Sequence, residues 1–200
     1  MKSILVSQRI DIISDRNEIR DSLDQKLIEF ILQSGYFPIP FPNCIIQNQN
    51  KQQNDIKEKI KSFLVRMEPS GLVLSGGNNL GQFEARDNTE SFLFNFFSKK
   101  NLPILGICRG MQFLSYKQGC NLVKVEGHVG TRHKLKGEIC HEVNSFHQFA
   151  LTQTPEEYIT IAKSEDETIK AIKHKSKNLE GWMWHPEREN PFSIHDIERF

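Results

Sequence analysis

Short apolar runs recur along the first half of the chain. Each is three to five residues long and is followed by a polar or glycine-containing turn, which is typical of buried strands. A further segment is rich in proline, and proline excludes helix and favours extended backbone. The first predicted strand ends near residue 7. The others span 71–74, 103–107 and the proline-rich segment 36–44.

Longer stretches between these runs carry apolar residues at helical spacing. Residues 17–34 place Ile19, Leu23 and Leu27 on one stripe and predict an amphipathic helix that ends before Gly35. Two further helices are expected from residue 56 to 67 and around 92–97. The polar residues 47–54 predict a surface loop.

The alternation of strands and helices predicts a doubly wound α/β fold, with a mostly parallel sheet and flanking helices. After residue 125 the pattern changes. Runs at 158–163, 169–173 and 179–184 predict a meander, so that a small antiparallel section is expected in the C-terminal half. Residues 193–200 predict one or two helical turns.

Composition is that of an ordinary globular protein. The 200 residues suit a single domain over 1–200, and 26 basic against 25 acidic residues leave a net charge of +1. This balance gives no reason to expect binding to nucleic acid or a membrane. The apolar start is too short for a signal peptide, so we expect a cytoplasmic protein with reduced thiols.

One of the four cysteines stands in a distinctive place. Cys108 lies in a G-x-C-x-G sequence between Gly106 and Gly110, where a predicted strand turns into a helix. This pattern predicts a nucleophile elbow, with the thiol at a helix N-terminus that favours the thiolate. The backbone N–H of Arg109 could then donate to an oxyanion. The alternative is a structural cysteine between two packing glycines.

A cysteine nucleophile needs a base, and the base needs a group that orients it. His185 follows the last predicted strand, and Glu187 lies two residues further on, after Pro186. A carboxylate there can accept a hydrogen bond from the imidazole and fix its tautomer. Taken alone, His185 could equally be a surface histidine in a turn.

A glycine pair follows the strand at 71–74. Gly76 and Gly77 expose backbone N–H groups without side chains in the way, and the N–H of Gly77 could complete a two-donor oxyanion hole with Arg109. The pair does not match a nucleotide-binding P-loop, because no Lys-Ser/Thr pair follows it.

Several motifs follow one another along the chain, and by these motifs the chain resembles the class I glutamine amidotransferases. Within them it is most similar to the peptidase C26 branch, the γ-glutamyl hydrolases. The shared motifs are Ser75-Gly76-Gly77, Gly106-Ile107-Cys108-Arg109-Gly110-Met111-Gln112, Val143-Asn144-Ser145-Phe146-His147-Gln148 and Trp184-His185-Pro186-Glu187, with branch features at 86–90 and 128–133.

The resemblance implies a triad of Cys108, His185 and Glu187, which cleaves a γ-glutamyl amide through a thioester and releases glutamate. Gly77 and Arg109 would supply the oxyanion N–H groups. The substrate would be a small molecule, and no metal or organic cofactor is required. The implied substrate-binding residues are Gly76, Gln112, Asn144, Ser145, Phe146 and His147.

Length and motifs are also similar to a narrower group, the γ-glutamyl-CDP-amidate hydrolases of capsule biosynthesis. These release glutamate from a γ-glutamyl nucleotide phosphoramidate. The basic loop at 132–134 could meet a diphosphate, or it could be a solvated charged loop.

Three other functions stay open. The chain could be a glutaminase subunit that delivers ammonia to a separate synthetase, although the absence of a fused synthetase within the sequence favours the hydrolase. Cys108 could be a redox sensor, which would leave His185 and Glu187 without a role. A metal site is the least favoured, because strand alternation is expected to scatter its possible ligands, His128, His133, Cys140, His141 and His147.

Overall fold

A computed structural model describes residues 1–45 and 51–200. The helices are α1 (Gln25–Gln33), α2 (Lys51–Met67), α3 (Glu84–Lys99), α4 (Arg109–Tyr116) and α5 (Ile194–Arg199). The strands are β1 (Lys2–Ser7), β2 (Arg9–Ile13), β3 (Glu18–Ser22), β4 (Tyr36–Phe41), β5 (Gly71–Leu74), β6 (Ile104–Ile107), β7 (Leu122–Lys124), β8 (Val129–Lys134), β9 (Lys136–Gly137), β10 (Glu142–Phe146), β11 (Phe149–Leu151), β12 (Tyr158–Lys163), β13 (Ile169–His174) and β14 (Leu179–Trp182).

An eight-stranded sheet forms the centre, in the order β4-β1-β5-β6-β14-β13-β12-β9. The pairs from β4 to β14 are parallel, and those from β14 to β9 are antiparallel. The expected mostly parallel sheet with an antiparallel section in the C-terminal half is therefore confirmed. Smaller two-stranded sheets pair β10 with β8, β11 with β7 and β2 with β3.

Apolar side chains cover both faces of the sheet. Because side chains alternate along a strand, Leu72 of β5 packs into one core cluster with Leu93 and Phe97 of α3. Its neighbour Val73 packs on the opposite face with Phe30 of α1. Burial on both faces explains why these strands read as continuous apolar runs. None of the described helices has the length and apolar content needed to cross a bilayer.

The helix expected over residues 17–34 is only half correct. Its first part forms the hairpin β2–β3, in which Asn17 takes a left-handed conformation at the turn and Ile19 is 74% exposed. The helix starts only at Gln25, after the side chain of Asp24 accepts a hydrogen bond from the N–H of Lys26. The helical spacing of Ile19 was a coincidence, since hairpin pairing decides this segment.

The predicted loop over 47–54 lies partly outside the described residues. Its last four positions belong to α2, which begins at Lys51 rather than at residue 56. No proline or glycine interrupts residues 51–55, so the helix extends further than its apolar stripe.

The parallel strands bring their carboxyl ends to one edge of the sheet. Ser7, Ser75, Cys108 and His185 lie at or just beyond the ends of β1, β5, β6 and β14. Ligands of open α/β sheets bind beyond this edge. The topology therefore gathers the predicted cysteine, histidine and glycine turn in one place.

Candidate active site

Cys108 occupies a strained corner between β6 and α4. Its backbone has φ 51° and ψ −101°, a combination that residues with a side chain rarely adopt. The N–H of Cys108 donates to the carbonyl of Trp182 at 2.6 Å, and its own carbonyl accepts from Gln112 N at 3.1 Å. These bonds hold the sharp turn, so the thiol stands at the N-terminus of α4.

The two glycines of the elbow are required by close packing. A Cβ atom on Gly110 would lie 2.2 Å from the carbonyl oxygen of Leu74, and one on Gly106 would lie 2.5 Å from the backbone of Gly110. Neither backbone neighbour can move aside cheaply. The G-x-C-x-G pattern therefore reflects the approach of α4 to β5 and β6.

His185 is buried beside the thiol. Its Nδ1 lies 2.6 Å from Glu187 Oε1. Burial by itself lowers the pKa of His185, but the hydrogen bonds and charges of Cys108 and Glu187 outweigh it and raise that pKa to about 9. The arrangement favours a charged imidazolium at neutral pH.

Two predicted substrate-binding residues instead support His185. The side chain of Asn144 donates to the carbonyl of His185 at 2.7 Å and accepts from its N–H at 3.1 Å. Gly76 lies against the imidazole, where a Cβ atom would come within 2.6 Å of Cε1. Asn144 and Gly76 therefore fix the histidine from two sides, and neither lines the cleft described next.

A cleft of about 370 Å³ opens above Cys108. Gly77, Gln112, Phe146 and His147 line it together with Cys108 and His185. The side chain of Gln112 is held by the carbonyl of Phe149 at 3.0 Å. No aspartate or glutamate is among the described residues that line the cleft.

The two predicted oxyanion donors stand at this cleft. Arg109 is the first residue of α4, so its N–H has no partner inside the helix. Gly77 has φ 78°, and its N–H donates no hydrogen bond within the described part of the chain. Both N–H groups are therefore free to bind an oxygen at the cleft.

A second buried cluster adjoins the cleft. The amino group of Lys170 in β13 donates to His128 Nδ1 at 3.0 Å, Ser145 Oγ at 3.0 Å and His147 Nε2 at 2.9 Å. Lys170 is fully buried, and burial lowers its pKa to about 8. Ser145, which was expected to bind substrate, is engaged by this amine.

The histidines of this cluster correct one expectation. The ring of His128 stacks on His133 at 4.5 Å and on His147 at 4.8 Å, so strand alternation does not scatter these three. The amine of Lys170 hydrogen-bonds the rings of both His128 and His147. His141 lies elsewhere, next to Asp196. The described residues hold no group of three or more side chains arranged to bind a metal ion.

Sequence reasoning missed several side chains at the site. Arg9 and Arg188 line the cleft, and the Arg188 guanidinium lies 4.4 Å from the centre of the Phe146 ring. Arg9 lies two residues beyond the carboxyl end of β1. That position could have identified it from the sequence as a residue near the site. The basic segment 132–134 lies in strand β8 rather than in a loop, and Arg132 pairs with Glu142 and Glu189.

Comparison with known proteins adds a family. The family model for class I glutamine amidotransferases matches residues 22–192. A γ-glutamyl-CDP-amidate hydrolase from Campylobacter jejuni is 34% identical over 125 residues, which are 60% of this chain and 62% of that protein. A glutamine-hydrolysing GMP synthase from Streptococcus pneumoniae is 29% identical over 155 residues, 70% of this chain and 29% of the relative. The chain thus matches less than two thirds of either relative.

Solved structures share the fold. A protein from Thermoplasma acidophilum that is provisionally named as part of a GMP synthase superposes with a TM-score of 0.68 at 20% identity, covering 100% of this chain and 92% of that one. A glutamine amidotransferase from Thermotoga maritima gives 0.62 at 16% identity, covering 99% and 81%. At these identities the likeness concerns the fold alone.

Proposed function

The chain belongs to the class I glutamine amidotransferase family, and on that premise we propose that it is a cysteine hydrolase that cleaves a γ-glutamyl amide and releases glutamate. One observation carries the proposal. Cys108 stands at a strained elbow and lines one cleft with His185, which Glu187 orients at 2.6 Å. A purely structural cysteine needs neither partner.

The proposed reaction has two steps. The Cys108 thiolate attacks the γ-carbonyl carbon, and the N–H groups of Gly77 and Arg109 bind the oxygen as it becomes negative. The C–N bond breaks as the imidazolium of His185 gives its proton to the leaving nitrogen, which leaves a γ-glutamyl thioester. His185 then takes a proton from water, which attacks the thioester and releases glutamate and the free thiol.

We further propose that the nitrogen leaves as part of an anionic group, such as a nucleotide phosphoramidate. The C. jejuni relative is named for such a substrate. The cleft supports this extension, because Arg188 stands at its rim and no described carboxylate lines it, while Arg9 at the same rim is paired with Asp11 at 2.8 Å. Arg188 has no ion-pair partner within residues 1–45 and 51–200. A role in capsule biosynthesis is part of the same proposal.

A panel of γ-glutamyl amides tests both parts. We expect glutamate release from the wild type and a loss of at least about 1,000-fold in Cys108→Ala. Cys120→Ala, which removes another buried thiol, is the matched control and should keep full activity. Full activity in Cys108→Ala would exclude the triad. Faster turnover of neutral than of phosphorylated amides would exclude an anionic leaving group.

A second candidate function is a glutaminase subunit that supplies ammonia to a separate synthetase. The likeness to the glutamine-hydrolysing GMP synthase favours it, because that relative is much longer than the matched region. The same panel separates the two functions. Slow hydrolysis of every conjugate, together with glutaminase activity that rises when a synthetase is added, would support the ammonia-supplying role and contradict the stand-alone hydrolase.

A further inference from the structure

A buried ionic network lies beneath the glycine turn and the elbow, and it takes no part in the steps above. It joins Arg86, Asp87 and Glu90 of α3 to Arg109 of α4. Arg86 and Glu90 are fully buried, and Arg109 is 2% exposed. Burying so many charges is costly unless each is paired, so the arrangement calls for an explanation beyond stability.

Arg86 directs most of its donors at the glycine turn. Its Nη2 donates to the carbonyls of Ser75 at 2.8 Å and Gly76 at 3.0 Å, and its Nη1 donates to the carbonyl of Gly77 at 2.5 Å. Three successive carbonyl groups thus point at one guanidinium. A planar fork of donors can hold three peptide groups in a fixed orientation, which a lysine amine cannot do.

The geometry of the peptide bond gives this contact a consequence. In a trans peptide group the C=O and the N–H point in opposite directions. The peptide between Gly76 and Gly77 turns its carbonyl toward Arg86, so it turns the N–H of Gly77 away from Arg86. Gly77 lines the cleft beside Cys108, so an N–H that points away from Arg86 is available to that cleft.

Glu90 links this turn to the elbow. Its Oε1 accepts from Arg86 Nε at 3.0 Å, and its Oε2 pairs with the Arg109 side chain. Its Oε1 also accepts from Ser7 Oγ at 2.9 Å, and Ser7 Oγ accepts from the N–H of Ser75. One carboxylate therefore contacts Arg109 directly and reaches the turn at Gly77 through Arg86.

Charges within the network support this anchoring. Burial opposes ionisation of Glu90, but the charges of Arg86 and Arg109 outweigh it and lower the pKa of the carboxyl. Burial lowers the pKa of Arg86 to about 10, which leaves the guanidinium charged at neutral pH. A charged donor on the Gly76 carbonyl also polarises the peptide group and strengthens its N–H as a donor.

We propose that Arg86 is a positioning residue that aims the N–H of Gly77 at the oxyanion and so sets the rate of acylation of Cys108. This role rests on the proposed hydrolase function. It predicts a specific defect, because a misdirected N–H harms only a reaction that forms an oxyanion. Alkylation of the thiol forms no oxyanion and therefore does not use the N–H of Gly77.

Two reactions of Cys108 test the role. Acylation by γ-glutamyl-p-nitroanilide forms an oxyanion, whereas alkylation by iodoacetamide does not. We expect Arg86→Lys to slow acylation by about 100- to 1,000-fold, mainly through kcat, as loss of one oxyanion donor does. Alkylation should stay within about threefold of the wild type, because the thiolate is preserved. Arg20→Lys, at an exposed pair with Glu18, is the control and should change neither rate.

The outcomes are separable. Equal acylation rates in Arg86→Lys and wild type would overturn the role, and so would equal losses in both reactions, which indicate a collapsed site. If the wild type is alkylated but cleaves no γ-glutamyl amide, the hydrolase proposal fails instead. The positioning role is then decided by acylation with p-nitrophenyl acetate, which forms the same kind of oxyanion.

A milder variant serves if Arg86→Lys does not fold. Ser75→Ala removes only the hydroxyl that accepts from Arg86 Nη2 at 3.2 Å. We expect a loss of about three- to tenfold in acylation, the size of one ordinary hydrogen bond, with alkylation unchanged. An acylation rate equal to that of the wild type would contradict the role.

Discussion

Two histidines line the same cleft and are equally buried, with 3% of each exposed, yet their protonation is opposite. The pKa of His185 is raised to about 9 against the effect of burial, by its bonds to Cys108 and Glu187. The pKa of His147 is lowered to about 3, by burial and by the charge of Lys170. Burial alone therefore does not decide the charge of a histidine; the sign of its neighbours does.

Hydrogen bonding reinforces the difference. His147 lies 3.0 Å from the Phe149 carbonyl through Nδ1, and its Nε2 accepts from Lys170. A second proton on this ring would point at an ammonium ion. His185 instead faces a carboxylate on one side and a sulfur on the other. Of the two, only His185 is suited to hold and transfer a proton near neutral pH.

The largest expected effect on kcat/KM comes from replacing His185 and His147 one at a time. We expect His185→Asn to lower kcat/KM by at least about 1,000-fold, because the leaving nitrogen loses its acid. His147→Asn should lower it by less than about tenfold, since a neutral ring that transfers no proton is removed. Glutamate release at pH 7.5 measures both. Equal losses would mean that the two histidines do not differ in function.

A smaller effect should follow from changing the neighbour of His185. In Glu187→Gln the carboxylate that raises the pKa of His185 is gone. We expect kcat to fall by about 100-fold and the basic limb of the pH–rate profile to move about one unit toward lower pH. Glu142→Gln, at an exposed pair with Arg132, is the control. An unshifted profile would show that Glu187 does not set the charge of His185.

The smallest expected effect concerns the stability that depends on Lys170, the charged neighbour of His147. The pKa of Lys170 is depressed from 10.5 to about 8, so the unfolded chain binds more protons than the folded one between these values. Stability linked to Lys170 therefore rises with pH above 8. Between pH 7.5 and 9.5 the wild type should gain about 2 kcal/mol relative to Lys170→Met in urea unfolding.

Lys163→Met, at an exposed lysine on the neighbouring strand, should show no such gain. A constant difference between the free energies of unfolding of wild type and Lys170→Met across this pH range would contradict a lowered pKa of Lys170 in the folded state.

Local sequence motifs were enough to single out the residues of the proposed triad. Cys108 and its two glycines occupy five consecutive positions, and His185 and Glu187 lie two apart, so short-range geometry decides each piece. The order of strands and helices then brought the pieces to one edge of the sheet, and the fold class is confirmed. Their catalytic roles stay predictions.

The cluster around Lys170 could not be predicted in the same way. Its members come from β10, β13 and the loops beside them, and no spacing in the sequence connects them. The available signal was Lys170 itself, which stands between two apolar residues of the strand Ile169–His174. The hairpin β2–β3 was missed for a related reason, because Ile19 fits a helical stripe by chance while strand pairing determines the structure.

The position of β14 has a consequence for how the chain assembles. This strand comes late in the sequence but lies between β6 and β13 in the centre of the sheet. During synthesis, β6 is complete long before its partner leaves the ribosome, and until then it keeps one unpaired edge that can join to another chain. Insertion of β14 closes that edge and, in the same event, delivers His185 to Cys108. The thiol therefore meets its histidine only when the sheet is whole.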